Sequence, residues 1–432
     1  MSKLVIIGGG ASGLAAAIAA ACTISASGPL KDSVEVELCE VDDRVGKSIL
    51  VTGNGRCNFS NAHNNPNAYW NSPFVQEVFA ALERTQPWGT KTQNTQAKPP
   101  QGLETSNAVL TFFYNLNLVW REESEGRLYP AANKASVVVD VLRSYAQALG
   151  VKECCKQQVL EVFEANKGYS VLFSSGQTTH ADAIIVACGG KGIRELKLPE
   201  ASSQRYELQP VLGPLRVVES PLVKPLDNIR VRCCATLMDS EGKPLASEPG
   251  EVLFRAYGVS GIAIFNLSRF VFGKNQALEL DFIPTVAQDE APAYILKRAQ
   301  RCMQLGFEPT ADVVLRGLLL PKVIQSVVKV AKINAHQALC TQEAEVLAQT
   351  LKHFTLHVAG IGDERQCQVM RGGLVTELFD SQTLESKANP RIFACGEALD
   401  VDAQCGGFNL HWAWASGLLA GVSAAREVCS RL

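Results

Sequence analysis

The chain has 432 residues, enough to bury more than one domain core. Its 47% hydrophobic and 19% charged residues exclude a disordered chain. A formal charge of −2, with no basic cluster in the sequence, argues against nucleic acid as a partner.

Residues 1–22 are apolar with a single Lys, a composition shared with signal peptides. Glycines interrupt this run where a signal peptide needs an unbroken apolar helix. A buried strand followed by a helix accounts for it better, and no later stretch is long enough to span a bilayer. A cytoplasmic protein is expected. Residues 5–13, V-I-I-G-G-G-A-S-G, are a strand breaking into Gly8-x-Gly10-x-x-Gly13 and an alanine-rich helix. Gly8 permits the tight turn, Gly10 lets backbone approach a pyrophosphate, and Gly13 lets helix pack on strand. With Ala11 and Ser12, the helix start offers N–H groups and partial positive charge to an anion. Residues 34–40 read as the next strand, ending at Glu40, a ribose ligand displaced by a lengthened turn over 25–33.

Farther on, residues 46–58 are Gly- and Asn-rich, 85–107 are a polar surface insertion, and 135–149 have helical periodicity. Residues 159–163 and 169–173 read as paired strands, and 183–187 as a buried strand ending at Cys188-Gly189-Gly190. From about residue 208, short β segments precede amphipathic helices over 291–349. Strands and a long helix beginning near Asn409 close the chain. The expected fold is α/β: a doubly wound dinucleotide-binding domain from 1–207 and 354–432, with a β-plus-helical domain inserted at 208–353.

Four segments are expected to meet on one cofactor. The first is the Gly8–Gly13 loop with Glu40. The second contains Lys47 and then Thr52, Gly53, Asn54, Gly55, Arg56, Cys57 and Asn58, for which a plain surface loop is the competing reading. The third is Ala187, Gly189 and Gly190 at the carboxyl edge of the sheet, with Val159 nearby. The fourth is a strand ending in Gly396-Glu397, then Asp400, Gly406, Gly407, Asn409 and Leu410. The Glu397 carboxylate suits the hydroxyls of a ribityl chain, and the following helix start suits the N1–C2 edge of a flavin. Fourteen cysteines contain no C-x-x-C and no zinc spacing, so a disulfide relay or metal site is not supported.

The T-G-N-G-R-C-N loop at 52–58 and the G-E-x-L-D-V-D-x-x-G-G-F-N-L-x-W-A-W segment at 396–414 resemble bacterial FAD flavoproteins of the aminoacetone oxidase and bile-acid 3-dehydro-Δ4,6-reductase type. Residues 126–130 and 257–261 match as well. The resemblance implies non-covalent FAD in a glutathione-reductase-like domain, with the insert covering the flavin. Ser48, Ala256, Ile262, Cys405 and His411 depart from the family pattern.

Two side chains are catalytic candidates. His411, inside the C-terminal motif, suits a proton shuttle or pocket wall, with helix packing as the alternative. Tyr257, beside a Gly-Ser-Gly turn, suits a position facing the flavin, with core filling as the alternative. The expected activity is FAD-dependent reduction of an unsaturated small molecule, with NAD(P)H as a transient donor. No second nucleotide fingerprint is present, because Gly189-Gly190-Lys191-Gly192 lacks its third glycine. Amine oxidation by dioxygen and RNA modification are the alternatives. The second would require basic residues clustered on the insert, and none are read there.

Overall fold

The computed structural model describes residues 1–28, 33–85 and 107–432. The polar insertion expected at 85–107 lies outside these residues apart from its ends, as does the centre of the expected turn at 25–33. Two compact units form: residues 1–209 with 369–432, and residues 210–368.

The first unit is built on a five-stranded, wholly parallel sheet. Its strands run Ile392–Ala394, Ala183–Val186, β1 (Ser2–Ile7), β2 (Val34–Cys39) and Lys152–Cys154. Leu4, Val5, Ile6 and residues 183–186 are fully buried, as strands covered on both faces require. Helix α1 (Ala11–Ala26) is apolar all round and packs on the terminal helix, Phe408–Cys429. Close approach depends on two glycines of that terminal helix. A Cβ at Gly417 would lie 2.3 Å from the Ser12 carbonyl, and one at Gly421 2.3 Å from that of Ala16. Strands Val159–Ala165 and Gly168–Phe173 pair antiparallel, outside the parallel sheet.

The second unit is a closed six-stranded barrel whose helices include Ala291–Gln304, Ala311–Leu315, Pro321–Ala331 and Thr341–Lys352. Along Arg230–Met238 the inward residues Cys233, Ala235 and Leu237 alternate with more exposed ones, the period of a half-buried strand. The sequence reading returned the chain to the first domain at 354. The strand Phe354–Ile361 instead closes the barrel, pairing with Ala277–Asp281 and Leu215–Val217, so the return comes at residue 369. Strand-like sequence does not show which sheet will supply its partner.

No described helix is long and apolar enough to cross a membrane.

Candidate functional site

The parallel sheet reverses its winding at β1, with β2 on one side and Ala183–Val186 on the other, and ligands of open α/β sheets bind at such a switch point. Gly8 sits there with φ +108°, and a Cβ on it would meet the Ala187 carbonyl at 2.5 Å. A Cβ on Gly13 would meet the Gly8 carbonyl at 1.8 Å, so both glycines are required by contact. Gly10 precedes α1, whose start has no side-chain cap, leaving the first-turn N–H groups at Ala11, Ser12 and Gly13 for a ligand. Glu40 Oε2 accepts from Gly9 N at 2.8 Å and Oε1 from Asp42 N at 2.9 Å. The carboxylate shapes the loop and keeps further lone pairs for a ribose. Gln157 N donates to the Glu40 carbonyl two residues before Val159, a buried strand residue of the antiparallel sheet.

Other predicted segments adjoin this loop. A Cβ on Gly396 would lie 2.5 Å from Ser12 Oγ. Glu397 Oε1 accepts from Met370 N (2.7 Å) and Oε2 from Gly190 N (3.2 Å). Burial raises its pKa, partly offset by those two bonds. Both oxygens thus join the turn after Val186 to strand Val369–Leu374, and, as at Glu40, each keeps a further lone pair for a hydroxyl. Asp400 is tied into the protein in a similar way. Its Oδ1 accepts from Gly372 N, and its Oδ2 from Trp70 Nε1 and Asn71 Nδ2. Asn409 uses its amide to hold the backbone of Ala403 and Gln404. Leu410 is half-buried beside it.

Gly407 (φ +98°) starts the terminal helix, again without a side-chain cap. A Cβ there would meet Ser60 O at 2.2 Å and Asn58 Oδ1 at 2.9 Å. The 52–61 segment is thus pressed against the helix start. Asn61 Nδ2 donates to Gly406 O at 2.9 Å, and Trp414 Nε1 to Phe59 O at 2.9 Å. Gly53, Asn54 and Cys57 all hold φ between 55° and 58°, a concentration of left-handed backbone typical of ligand loops. Thr52 Oγ1 is tied to Ile49 O, and Gly55 (φ +80°) completes the turn. Burial pushes the Cys57 thiol up to about 12. Two members of the segment point elsewhere. Arg56 is engaged by Asn133, Glu123 and the Tyr129 ring, and Lys47 pairs with Asp42 and Asp43.

One atom stands out. Asn58 Oδ1 is buried at this helix start with no hydrogen-bond partner among the described residues. A buried amide oxygen left unpaired costs roughly 1–3 kcal/mol, so the site fits a donor that the described residues do not supply. The glycine cradles at 8–13 and 406–407, the two uncapped helix starts and this oxygen all fit a dinucleotide cofactor. Sequence reasoning missed Ser60, Asn61, Asn71, Arg371 and Arg44, whose Nε is also buried without a partner. The S-N pair directly after C-N-F was the available signal for the first two.

Residues 103–423 match the family model described as the HI0933-like protein Rossmann domain. The chain belongs to the HI0933-like family. It is an FAD-dependent oxidoreductase. The 3-dehydro-bile acid delta(4,6)-reductase of Clostridium scindens is 30% identical, spanning 99% of this chain and 100% of that one. The ribosomal RNA dihydrouridine synthase of Escherichia coli is 24% identical over 95% of each chain, and that of Haemophilus influenzae 23% over 99% of each.

In this HI0933-like flavoenzyme, His411 is 2% exposed, shares a 2.8 Å hydrogen bond between Nδ1 and Ser60 Oγ, and meets the Phe79 ring edge-on. Burial lowers its pKa to about 3, so it is neutral at physiological pH. The folded-state pKa lies below the unfolded value. The residue's contribution to stability is therefore whole above about pH 6.5 and is lost as pH falls toward 3. Between about pH 7 and pH 5 this amounts to about 2 kcal/mol. Urea melts should show that His411→Phe flattens the acid limb by that amount; an unchanged limb would mean that another group sets it.

Proposed function

We propose that this flavoenzyme reduces a carbon–carbon double bond conjugated to a carbonyl in a small molecule, with NAD(P)H as the transient donor. What carries the reading is the end-to-end similarity, at 30% identity, to a protein named for delta(4,6) reduction of a 3-dehydro bile acid. FAD would be held by Gly8, Gly10 and the start of α1 at its pyrophosphate, by Glu40 at its adenosine ribose, and by Asn58 and the Gly406–Gly407 cradle at its flavin end. When bound, FAD supplies hydride exchange at N5. The chain's residues bind, orient and move protons. The positive end of the terminal helix favours negative charge at the flavin edge. His411 is assigned a positioning role, holding Ser60 and so the 58–61 backbone. A glutathione-reductase-like arrangement of the first unit fits the antiparallel strands that follow residue 158.

Reducing a conjugated alkene adds a hydride to the β carbon and a proton to the α carbon. The candidate donor of that proton is Tyr257, by its motif beside the Gly-Ser-Gly turn; within the second unit its phenolic oxygen has no hydrogen-bond partner among the described residues. Tyr257→Phe is expected to lower product formation about 10²–10⁴-fold, while flavin content and bleaching by NAD(P)H stay unchanged. Loss of flavin in that variant would make Tyr257 a packing residue instead. The reading as a whole is tested by anaerobic mixing with NADH or NADPH and then with a conjugated enone. Flavin should bleach and recolour as the product gains two hydrogens. Bleaching by amines alone, with peroxide released in air, would support oxidase chemistry instead.

A second reading is favoured by the two dihydrouridine synthase relatives. The C5=C6 bond of uridine is conjugated to its C4 carbonyl, so reduction of uridine in RNA is the same chemistry on a larger substrate. A two-hydrogen mass gain on a uridine of ribosomal RNA would establish it.

A further inference from the structure

The near-neutral balance of the whole chain hides a local excess of positive charge. Residues 291–332, in the helical layer of the second unit, carry seven Lys and Arg against two acids, Glu308 and Asp312. This corrects the expectation that the insert lacks clustered basic residues. What the placed helices add is which of these cations share an exposed face. On helix Pro321–Ala331, Val323, Ile324, Val327 and Val328 are buried. Lys322, Gln325, Lys329 and the capping Lys332 recur at the spacing of one exposed helix face. On helix Ala291–Gln304, the Arg298 guanidinium donates to Val314 O (2.8 Å) and Arg316 O (3.1 Å). That tie brings Arg316 beside Arg298, with Arg301 one turn farther along. Arg316 pairs with Asp312, whereas Lys297, Arg301, Lys322, Lys329 and Lys332 make no ion pair among the described residues.

The same layer also exposes an aromatic ring, three residues past the end of helix Ala291–Gln304. Helix Ala291–Gln304 ends in a Schellman turn, with Gly306 (φ +81°) donating to Met303 O and Phe307 N donating to Cys302 O. The residue in Phe307's position usually packs back on the helix. Phe307 is instead 57% exposed on a fixed backbone. Unpaired cations with an outward ring fit single-stranded RNA, whose phosphates take the charges and whose unstacked bases take the ring.

We infer that the helical layer at 291–332 is an RNA-binding face, with Lys322, Lys329 and Lys332 on phosphates and Phe307 stacking an unpaired base. This deepens the second reading above and rests on it. The experiment is fluorescence anisotropy of the FAD-loaded full chain with a fluorescein-labelled RNA hairpin carrying a uridine-rich loop, over about 50–200 mM KCl. Combined Lys322→Glu, Lys329→Glu and Lys332→Glu should weaken binding at least about 30-fold and lower the salt slope by about 2–3. Phe307→Ala should weaken binding to the hairpin about tenfold and leave a fully paired duplex unaffected. Flavin content and enone reduction should match the wild type in both variants, which separates a lost surface from a lost fold. Wild-type chain that ignores the hairpin, or charge-reversed chain that binds it equally, overturns the RNA face. RNA bound at this face without any uridine gaining two hydrogens leaves the face standing and overturns the uridine reading.

Discussion

Gly13→Ala is expected to yield a colourless, destabilised protein that added FAD does not restore. The alanine Cβ would stand 1.8 Å from the Gly8 carbonyl, a backbone atom fixed by β1 on one side and the Ala187 contact on the other. Either α1 moves off the sheet or the phosphate loop opens, and both spoil the anion site. Relief of such overpacking costs about 1–3 kcal/mol or more, and a shift of α1 also disturbs its contact with Gly417 and Gly421. Gly10→Ala is the informative contrast. Its Cβ would meet only the rotatable Ser48 hydroxyl, at 3.2 Å, so the fold should melt within about 0.5 kcal/mol of the wild type. FAD affinity should nevertheless fall at least tenfold, because the methyl occupies space that backbone approach to the pyrophosphate requires. Flavin absorbance after dialysis against excess FAD, read beside a thermal melt, separates the two outcomes. A yellow Gly13→Ala protein with wild-type affinity would remove the pyrophosphate from this loop.

The parts of the site legible in the sequence are those made by local geometry. A strand, a glycine turn and an alanine-rich helix over 2–26 are dictated by neighbouring residues, and β1 and α1 form where the periodicity puts them. The start of the terminal helix at Phe408 is one residue from the expected Asn409 for the same reason. The carboxylates' protein partners are not legible in the sequence because they are distant along the chain. Nothing near Glu397 or Asp400 announces that Met370 N and Gly372 N will reach them first. The strand at 354–361 has the alternation of any half-buried strand, and only its barrel neighbours decide which unit it joins. Tyr257 and Asn58 were chosen for their motifs. What the structure adds is a property no motif states: both have a buried polar atom without a partner among the described residues.

Arg371→Met should be the most destabilising change outside the phosphate loop, by about 3–5 kcal/mol. Arg371 and Asp402 form a two-pronged buried ion pair at 2.6 and 3.0 Å, with Asp402 1% exposed and the guanidinium 4.2 Å from the centre of the Trp70 ring. Removing the arginine strands a carboxylate in low dielectric, which costs more than the pair contributes. The double variant Arg371→Met with Asp402→Leu should recover most of the loss, since well-packed apolar replacements of buried pairs are often neutral. The pair's role is then read from flavin retention in the refolded double variant. Trp70 N donates to Asp402 O, Trp70 and Asn71 donate to Asp400, and the chain continues four residues beyond Asp402 to the Gly406–Gly407 cradle. A double variant as stable as the wild type that nonetheless binds FAD at least about tenfold more weakly would show the ion pair setting the cradle's position, with little net contribution to folding. Full stability with full affinity would leave the pair without a part in holding the cofactor.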